Sequence, residues 1–337
     1  MISNARPSNL TLACRDTIID DMRIVFFGSG AFGLPTLQAL SKRHQVVAVV
    51  TQPDKPAGRG GKITPTPIGQ WAAQHLPSAP LIKPPKVNEP AIVEQIRSFS
   101  ADAWVVIAFG QKLSRTLLAD RFAINLHASL LPRWRGAAPI NAAILGGDTV
   151  TGNTVITLAD RMDAGLILGT STRPIEPLMT AGELHDLLSA DGPDLVESVL
   201  ERHANGTLQP VTQDESLVTI ATKLSKSDGQ VDFTQKADFT RRIVHALTPW
   251  PGVTCTLHAT PPQPLKILRV QPEPGTHQED PGTLLDVGAG IVACGQHTRL
   301  RLLEVQPPGK RPMHWADFAR GRTIPPMSIL GAANEAE

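Results

Sequence analysis

Short apolar runs alternate with helical periodicity through the first part of the chain. Ile24-Val25-Phe26-Phe27, Val46 to Val50 and Trp104 to Ala108 are continuous apolar stretches, the pattern of strands buried on both faces of a parallel sheet. Between them apolar positions recur at helical spacing through Leu37 and Leu40, from Ile68 to His75 and from Glu89 to Phe99. Strand, helix and strand in repeated order predict a doubly wound, mostly parallel α/β sheet. Ile82 begins a short strand and turn, and Asn153 to Leu158 forms a further strand. Leu184, Leu187, Leu188, Leu195, Val199 and Leu200 mark helical structure from Glu183 to Glu201, which Gly192-Pro193 is expected to split in two. Regular periodicity is lost from Asn205 to Ala221, as in a linker. A helix from Ala237 to Leu247 follows, then short strands at 253–258, 266–270, 282–287, 290–294 and 300–305, punctuated by Gly and Pro. Such spacing predicts a small barrel.

The stretch from Ile124 to Ile140 stands out because a strand end there carries polar groups. Asn125 and His127 are two apart, so an extended chain points both to one face. An amide can donate to a developing oxyanion and an imidazole can carry a proton near neutral pH, which suits chemistry at an acyl carbon. A hydrogen-bonded pair at a strand edge is the bland alternative. Pro132 and Gly136 then break regular structure around the basic, aromatic Arg133-Trp134-Arg135, a loop able to close over a substrate. Pro139 opens a helix through Ile140, Ala143, Ile144 and Leu145.

Composition narrows the picture. A net charge of +1 over 337 residues leaves any nucleic-acid contact to local patches. Cys14, Cys255 and Cys294 are far apart, which fits a reduced, cytoplasmic setting and argues against a thiol nucleophile or structural zinc. No apolar run approaches the roughly 20 residues of a transmembrane helix. The turn Gly28-Ser29-Gly30-Ala31-Phe32-Gly33 spells Gly-x-Gly-x-x-Gly, but the second strand ends in Thr51-Gln52-Pro53-Asp54, without the ribose-binding acid in place. Residues 51–62, rich in Gly, Pro and charge, are expected to form a mobile surface loop. Residues 1–21 read as a disordered extension, with Met22 a candidate start of the native chain.

The string from Asn125 to Ile140, Asn-x-His-Ala-Ser-Leu-Leu-Pro-Arg-Trp-Arg-Gly-Ala-Ala-Pro-Ile, resembles the signature of the methionyl-tRNA formyltransferase family, and its first half is shared with other folate-dependent formyltransferases. Further similarity lies in the loop Pro53 to Lys62, in Met162-Asp163-Ala164-Gly165, in Lys223-Leu224-Ser225-Lys226 and in the stretch from Leu300 to Met313. The resemblance covers Met22 to about Gly321. It implies a Rossmann-like N-terminal domain over residues 22–204, a linker at 205–225, an OB-like tRNA-binding domain at 226–325 and a flexible tail at 326–337. It also implies transfer of formyl from 10-formyltetrahydrofolate to initiator methionyl-tRNA, with folate and tRNA as partners, and a monomer without metal or membrane attachment. Asn125, His127 and Asp163 would be catalytic, Asp160 being the rival carboxylate. Ile107, Ala108, Phe109, Gly110, Leu113, Ser129, Leu130, Leu131 and Pro132 would line the folate pocket; Arg59, Lys62, Lys223 and Lys226 would meet tRNA. Phe109, Ile167 and Thr248 depart from the family pattern, which has Tyr, an acid and Asn there. Formylation of an amino sugar nucleotide or glycinamide ribotide, folate hydrolysis, and tRNA binding without catalysis are the competing readings. The second domain and the Arg59 loop weigh against the small acceptors; an intact Asn125, His127 and Asp163 weigh against a purely binding role.

Overall fold

The computed structural model describes residues 21–57, 61–259 and 261–331. The chain lays down β1 (Arg23–Gly28), α1 (Leu34–Arg43) and β2 (Gln45–Val50), then a hairpin of β3 (Lys55–Ala57) and β4 (Lys62–Thr64). It continues through α2 (Pro67–His75), β5 (Leu81–Ile82), α3 (Pro90–Arg97), β6 (Ala103–Ile107), α4 (Arg115–Leu118) and β7 (Ala123–His127). The two-residue β8 (Arg135–Gly136), α5 (Pro139–Gly146), β9 (Val150–Thr157), β10 (Ile167–Pro174) and the long α6 (Ala181–Ala204) complete the first unit. Its sheet runs in the order β10-β9-β7-β6-β1-β2-β5, with β7, β6, β1, β2 and β5 parallel and β9 antiparallel to both neighbours. This is the doubly wound sheet the pattern predicts. Alternate residues of β1 feed opposite cores: Ile24 and Phe26 join Leu37, Leu126 and Leu188, while Val25 and Phe27 join Trp104, Val106 and Leu117. Both faces are covered, so the strands read as unbroken apolar runs.

The second unit is entered through β11 (Ile220–Ala221) and built from α7 (Ala237–Ala246), β12 (Val253–His258), β13 (Gln263–Glu273), β14 (Leu284–Asp286), β15 (Ile291–Ala293), β16 (Arg299–Gln306), β17 (Met313–His314), α8 (Trp315–Arg320) and β18 (Ile329–Gly331). Its strands pair antiparallel in the order β14-β15-β16-β13-β12-β18. Leu284 N donates to Ser328 O and Leu330 N to Gly282 O, both at 2.8 Å, so the two ends of the sheet meet and form a nearly closed, OB-like barrel.

Two expectations need correction. The helix predicted to break at Gly192-Pro193 is continuous. Its apolar face, with Leu184, Leu188, Val196, Val199 and Leu200 buried, packs across the sheet, and Asn153 Nδ2 donates to the Leu188 carbonyl in the turn before Pro193; packing outweighs the one lost backbone bond. Within the expected tail at 326–337, residues 329–331 are β18, because β12 would otherwise leave an open edge; residues 332–337 lie outside the described residues. The stretch expected as a surface loop at 51–62 carries the first strand of the exposed β3–β4 hairpin and runs into the second. The extension expected at 1–21 falls, apart from Asp21, outside the described residues. No helix among the described residues is long and apolar enough to cross a membrane.

The two units meet along α5, α6 and α7. Asn141 Nδ2 donates to Ala246 O at 2.6 Å, Gly182 N to Thr248 O at 3.1 Å, and Arg269 Nη2 pairs with Glu183 Oε1 at 2.7 Å. Partial burial opposes ionisation of Glu183, but hydrogen bonds from Arg269 and Thr180 outweigh it and lower its pKa to about 2 from 4.5. His245, whose Nε2 accepts from Val270 N at 3.2 Å, is lowered to about 4 from 6.5, by burial first and then by Arg241 and Arg269. An acid with a depressed value stabilises above 4.5 and loses that contribution as pH falls toward 2. A buried neutral base makes the fold bind fewer protons than the unfolded chain below 6.5, so its stability falls as pH drops from 6.5 to 4. The thermal midpoint of the wild type is therefore expected to decline from pH 6.5 downward, and His245→Gln to flatten the decline between 6.5 and 4 while keeping the one below 4.5. An unaltered profile in that variant would contradict the burial argument.

Candidate active site

β7 delivers two polar groups to one face of the sheet. Ile124 and Leu126 enter the core under α1 and α6, which leaves Asn125 and His127 on the opposite face beside the end of β6. His127 is buried; Asn125 is half-buried, and its side-chain amide makes no hydrogen bond to another described residue. Beyond the strand, Ser129 Oγ donates to Arg133 O at 2.6 Å and Thr154 Oγ1 to Ser129 O at 2.7 Å, fixing a loop that returns over the histidine.

That return sets the chemistry of His127. Its Nε2 lies 2.9 Å from the carbonyl of Trp134. A carbonyl only accepts, so Nε2 carries the hydrogen and Nδ1 is left facing Asp163, whose Oδ2 is 3.6 Å away. The same Oδ2 accepts from Gly136 N at 2.9 Å. Trp134 (φ +62°) and Asp163 (φ +52°) are both in the left-handed region, at a cost on the order of 1 kcal/mol each. Surrounding contacts hold them there. Trp134 N donates to Thr219 Oγ1 at 2.9 Å and its indole to Asp148 Oδ2 at 2.6 Å; the carbonyls of Asp163 and Gly165 accept from Gln213 Nε2 at 2.7 and 2.8 Å. Gly165 is required because a Cβ would overlap the Thr157 carbonyl. Asp160, the other carboxylate of this turn, points away to an exposed pair with Arg115, whose hydrogen bonds hold it below the usual carboxylate range.

The linker is part of this construction. β11 pairs in parallel with β8, Arg135 N donates to Thr219 O and Ala137 N to Ala221 O, each at 2.9 Å. The basic loop foreseen at Arg133-Trp134-Arg135 is internally neutralised: Arg133 pairs with Asp148 at 2.6 Å, and Arg135, buried, binds Gln213 Oε1 through Nε and Nη2 at 2.9 and 2.7 Å and Glu215 at 2.9 Å. Ile167, where the family pattern has an acid, exchanges backbone hydrogen bonds with Val211 at 2.8 and 2.9 Å. Gln213, Thr219, the Trp134 carbonyl and the inward turn of Arg135 carry no signal in the local sequence pattern.

The other sequence candidates are distributed as follows. Ile107, Leu113, Ser129 and Leu131 are buried, and Leu130 and Pro132 half-buried. Phe109, expected as a pocket wall, turns its ring into the core, 5.7 Å from Phe27 in an edge-on contact. The left-handed Ala108 (φ +47°) interrupts the strand alternation, so Ala108 and Gly110 are the exposed positions at this strand end, while the Phe109 carbonyl accepts from Ser29 Oγ and Gln52 Nε2. Asp54, at the end of the glycine-turn unit, is paired with Lys83 at 2.7 Å. Lys62, Lys223 and Lys226 are exposed and make no ion pair among the described residues; Arg59 lies outside them. No group of three or more His, Cys, Asp or Glu able to hold a metal occurs among the described residues.

A Rossmann-like sheet with amide, imidazole and carboxylate at one strand end, followed by a small barrel, defines a two-domain acyl-transfer enzyme. The chain belongs to the formyl transferase family: the formyl transferase profile matches residues 22–200 and the formyl transferase C-terminal domain profile residues 223–323. It is 41% identical over 308 residues to the methionyl-tRNA formyltransferase of Pseudomonas syringae pv. syringae, covering 90% of this chain and 96% of that one. It is 40% identical over 315 residues to that of Geotalea uraniireducens, covering 92% and 98%. Among solved structures, the N-formyltransferase from Helicobacter canadensis, in complex with folinic acid and dTDP-3-aminofucose, shares the fold at a TM-score of 0.61 and 14% identity, over 85% of this chain and 99% of that one.

Gly136 (φ +126°) is the position where the site has no slack, since a Cβ there would overlap the Ala221 carbonyl that anchors β11. Gly136→Ala is expected to lower stability by roughly 2 kcal/mol and to reduce turnover, because it separates β8 from β11 and withdraws the amide from Asp163. Chemical denaturation measured beside steady-state rates checks both effects.

Proposed function

We propose that this chain transfers the formyl group from N10 of 10-formyltetrahydrofolate to the amino group of initiator methionyl-tRNA, giving N-formylmethionyl-tRNA for translation initiation. The observation that carries the reading is the convergence of Asn125, His127 and Asp163 at the end of β7 in a chain otherwise so similar to methionyl-tRNA formyltransferases. Catalysis begins when the neutral amine attacks the formyl carbon. Charge then develops on the formyl oxygen, where the unengaged Asn125 amide donates a hydrogen bond. His127 acts through Nδ1, because Nε2 is committed to Trp134. When protonated there, it donates to the oxyanion, and the Asp163 carboxylate compensates its charge. Collapse of the intermediate breaks the bond from the formyl carbon to N10; the attacking nitrogen loses a proton and N10 gains one, relayed through Asp163 or water. No metal is needed for these steps.

The exposed backbone at Ala108 and Gly110, with the loop from Ser129 to Pro132, is the proposed folate contact; the Phe109 ring lies in the core and its carbonyl is already taken by Ser29 and Gln52. Lys62, Lys223 and Lys226, with Arg59, are the proposed tRNA contacts, where ammonium and guanidinium groups meet phosphate. Residues 22–204 form the proposed catalytic domain, 205–225 the connection and 226–325 most of the tRNA-binding domain, acting in the cytoplasm as a monomer without membrane attachment.

The direct test is transfer of labelled formyl from 10-formyltetrahydrofolate to initiator methionyl-tRNA, elongator methionyl-tRNA and free methionine. Formylation confined to the initiator is expected; folate turnover without tRNA formylation would replace this acceptor with a small one. Asn125→Ala and His127→Ala are expected to fold normally while losing on the order of 100-fold in kcat. Near-normal turnover in either would remove it from the mechanism. Lys223→Glu with Lys226→Glu is expected to raise KM for tRNA and leave kcat at saturation unchanged, and to flatten the salt dependence of KM.

A further inference from the structure

We infer that Gln213, in the segment between the two domains, is a positioning residue that holds the Asp163 carboxylate against His127. The inference rests on the reading of Asn125, His127 and Asp163 given above. Gln213 is buried, lies outside any helix or strand, and belongs to a stretch with no apolar periodicity. Its carboxamide is fully used: Nε2 donates to the carbonyls of Asp163 and Gly165, and Oε1 accepts twice from Arg135. The orientation admits no flip, because the reversed amide would set NH2 against guanidinium donors and oxygen against two carbonyls.

The two sides of this amide are the two supports of the imidazole. On one side is the turn that keeps Asp163 left-handed and aims its Oδ2 at His127 Nδ1. On the other is Arg135, between Trp134, whose carbonyl holds His127 Nε2, and Gly136, whose amide holds Asp163 Oδ2. One side chain therefore joins elements 50 and 78 residues away in sequence, and it does so from the connecting segment. That segment is docked along the site on both sides of Gln213: Val211 pairs with Ile167, and Thr219 and Ala221 pair with Trp134, Arg135 and Ala137. Holding a catalytic group by such outer contacts is worth roughly 10- to 100-fold in rate, since displacement by about 1 Å suffices to lose that much.

Gln213→Glu keeps the volume and the Arg135 contact but turns both donors into acceptors facing carbonyls; Gln213→Met removes the hydrogen bonds without adding charge. In the full-length enzyme, either is expected to lower kcat for formyl transfer to methionyl-tRNA at least about tenfold, with KM for both substrates within about threefold of wild type. In an Asp163→Asn background the same change should cost less than about threefold more, because the effect passes through Asp163. Losses that multiply in the double variant, or a wild-type kcat in both single variants, would overturn the inference. Nitrogen-15 NMR of labelled histidine gives a readout independent of turnover: at fixed pH, both Gln213 variants should move the His127 Nδ1 resonance in the direction Asp163→Asn does. An unmoved resonance overturns the positioning role even if the rate falls. Failure of the wild type to formylate any tRNA would remove the proposed acceptor, while the NMR comparison would still decide the role of Gln213.

Discussion

The hydrogen bond from His127 Nε2 to the Trp134 carbonyl is the constraint on which the site depends. It decides which ring nitrogen faces Asp163 and therefore which one can take part in proton transfer. A backbone carbonyl suits this task because it cannot donate, so the tautomer is fixed without a second titrating group. The carbonyl is held in turn by a left-handed Trp134, an indole anchored on Asp148 and an amide anchored on Thr219. Each of those anchors belongs to a different part of the chain, so the imidazole is oriented by tertiary structure and not by its own strand.

The parts legible in the sequence are those whose physics is local. Buried parallel strands read as apolar runs because α1, α2 and α6 cover one face of the sheet and α3 and α4 the other. Asn125 and His127 could be placed on one face because strand alternation has period two, whereas Asp163 was legible only through the resemblance of Met162-Asp163-Ala164-Gly165 to the family's Met-Asp-x-Gly turn. Phe109 is a folate-pocket candidate by resemblance alone, and the inward turn of its ring was not legible because the left-handed Ala108 resets the alternation where the strand ends. The continuity of α6 across Pro193 was hidden because burial against the sheet overrides a local penalty. Thr219, Gln213 and the inward turn of Arg135 were illegible for a different reason. Their function consists of contacts with distant backbone, and nothing in the spacing of residues 205–221 records those partners.

The junction between the two units combines groups with different acid responses. Glu183 and Arg269 form a charged contact across it, while His245 is buried as a neutral acceptor a short distance away. Other ion pairs lie within one unit, as in Arg301 with Glu273 and Arg173 with Asp191. Lys223 and Lys226, which make no ion pair among the described residues, follow shortly after β11, so these candidate nucleic-acid contacts are anchored to the strand that pairs with β8 beside Trp134.

The pairing of β8 with β11 also has a consequence for biosynthesis. His127, Trp134 and Gly136 leave the ribosome well before Gln213, Thr219 and Ala221, and until those residues arrive the loop over the histidine has only its anchors on Ser129 and Asp148. A nascent chain that has completed the first sheet through β10 therefore still lacks every contact that the connecting segment makes with this loop and with the Asp163 turn. The surroundings of His127 and Asp163 are complete only when translation has passed Ala221.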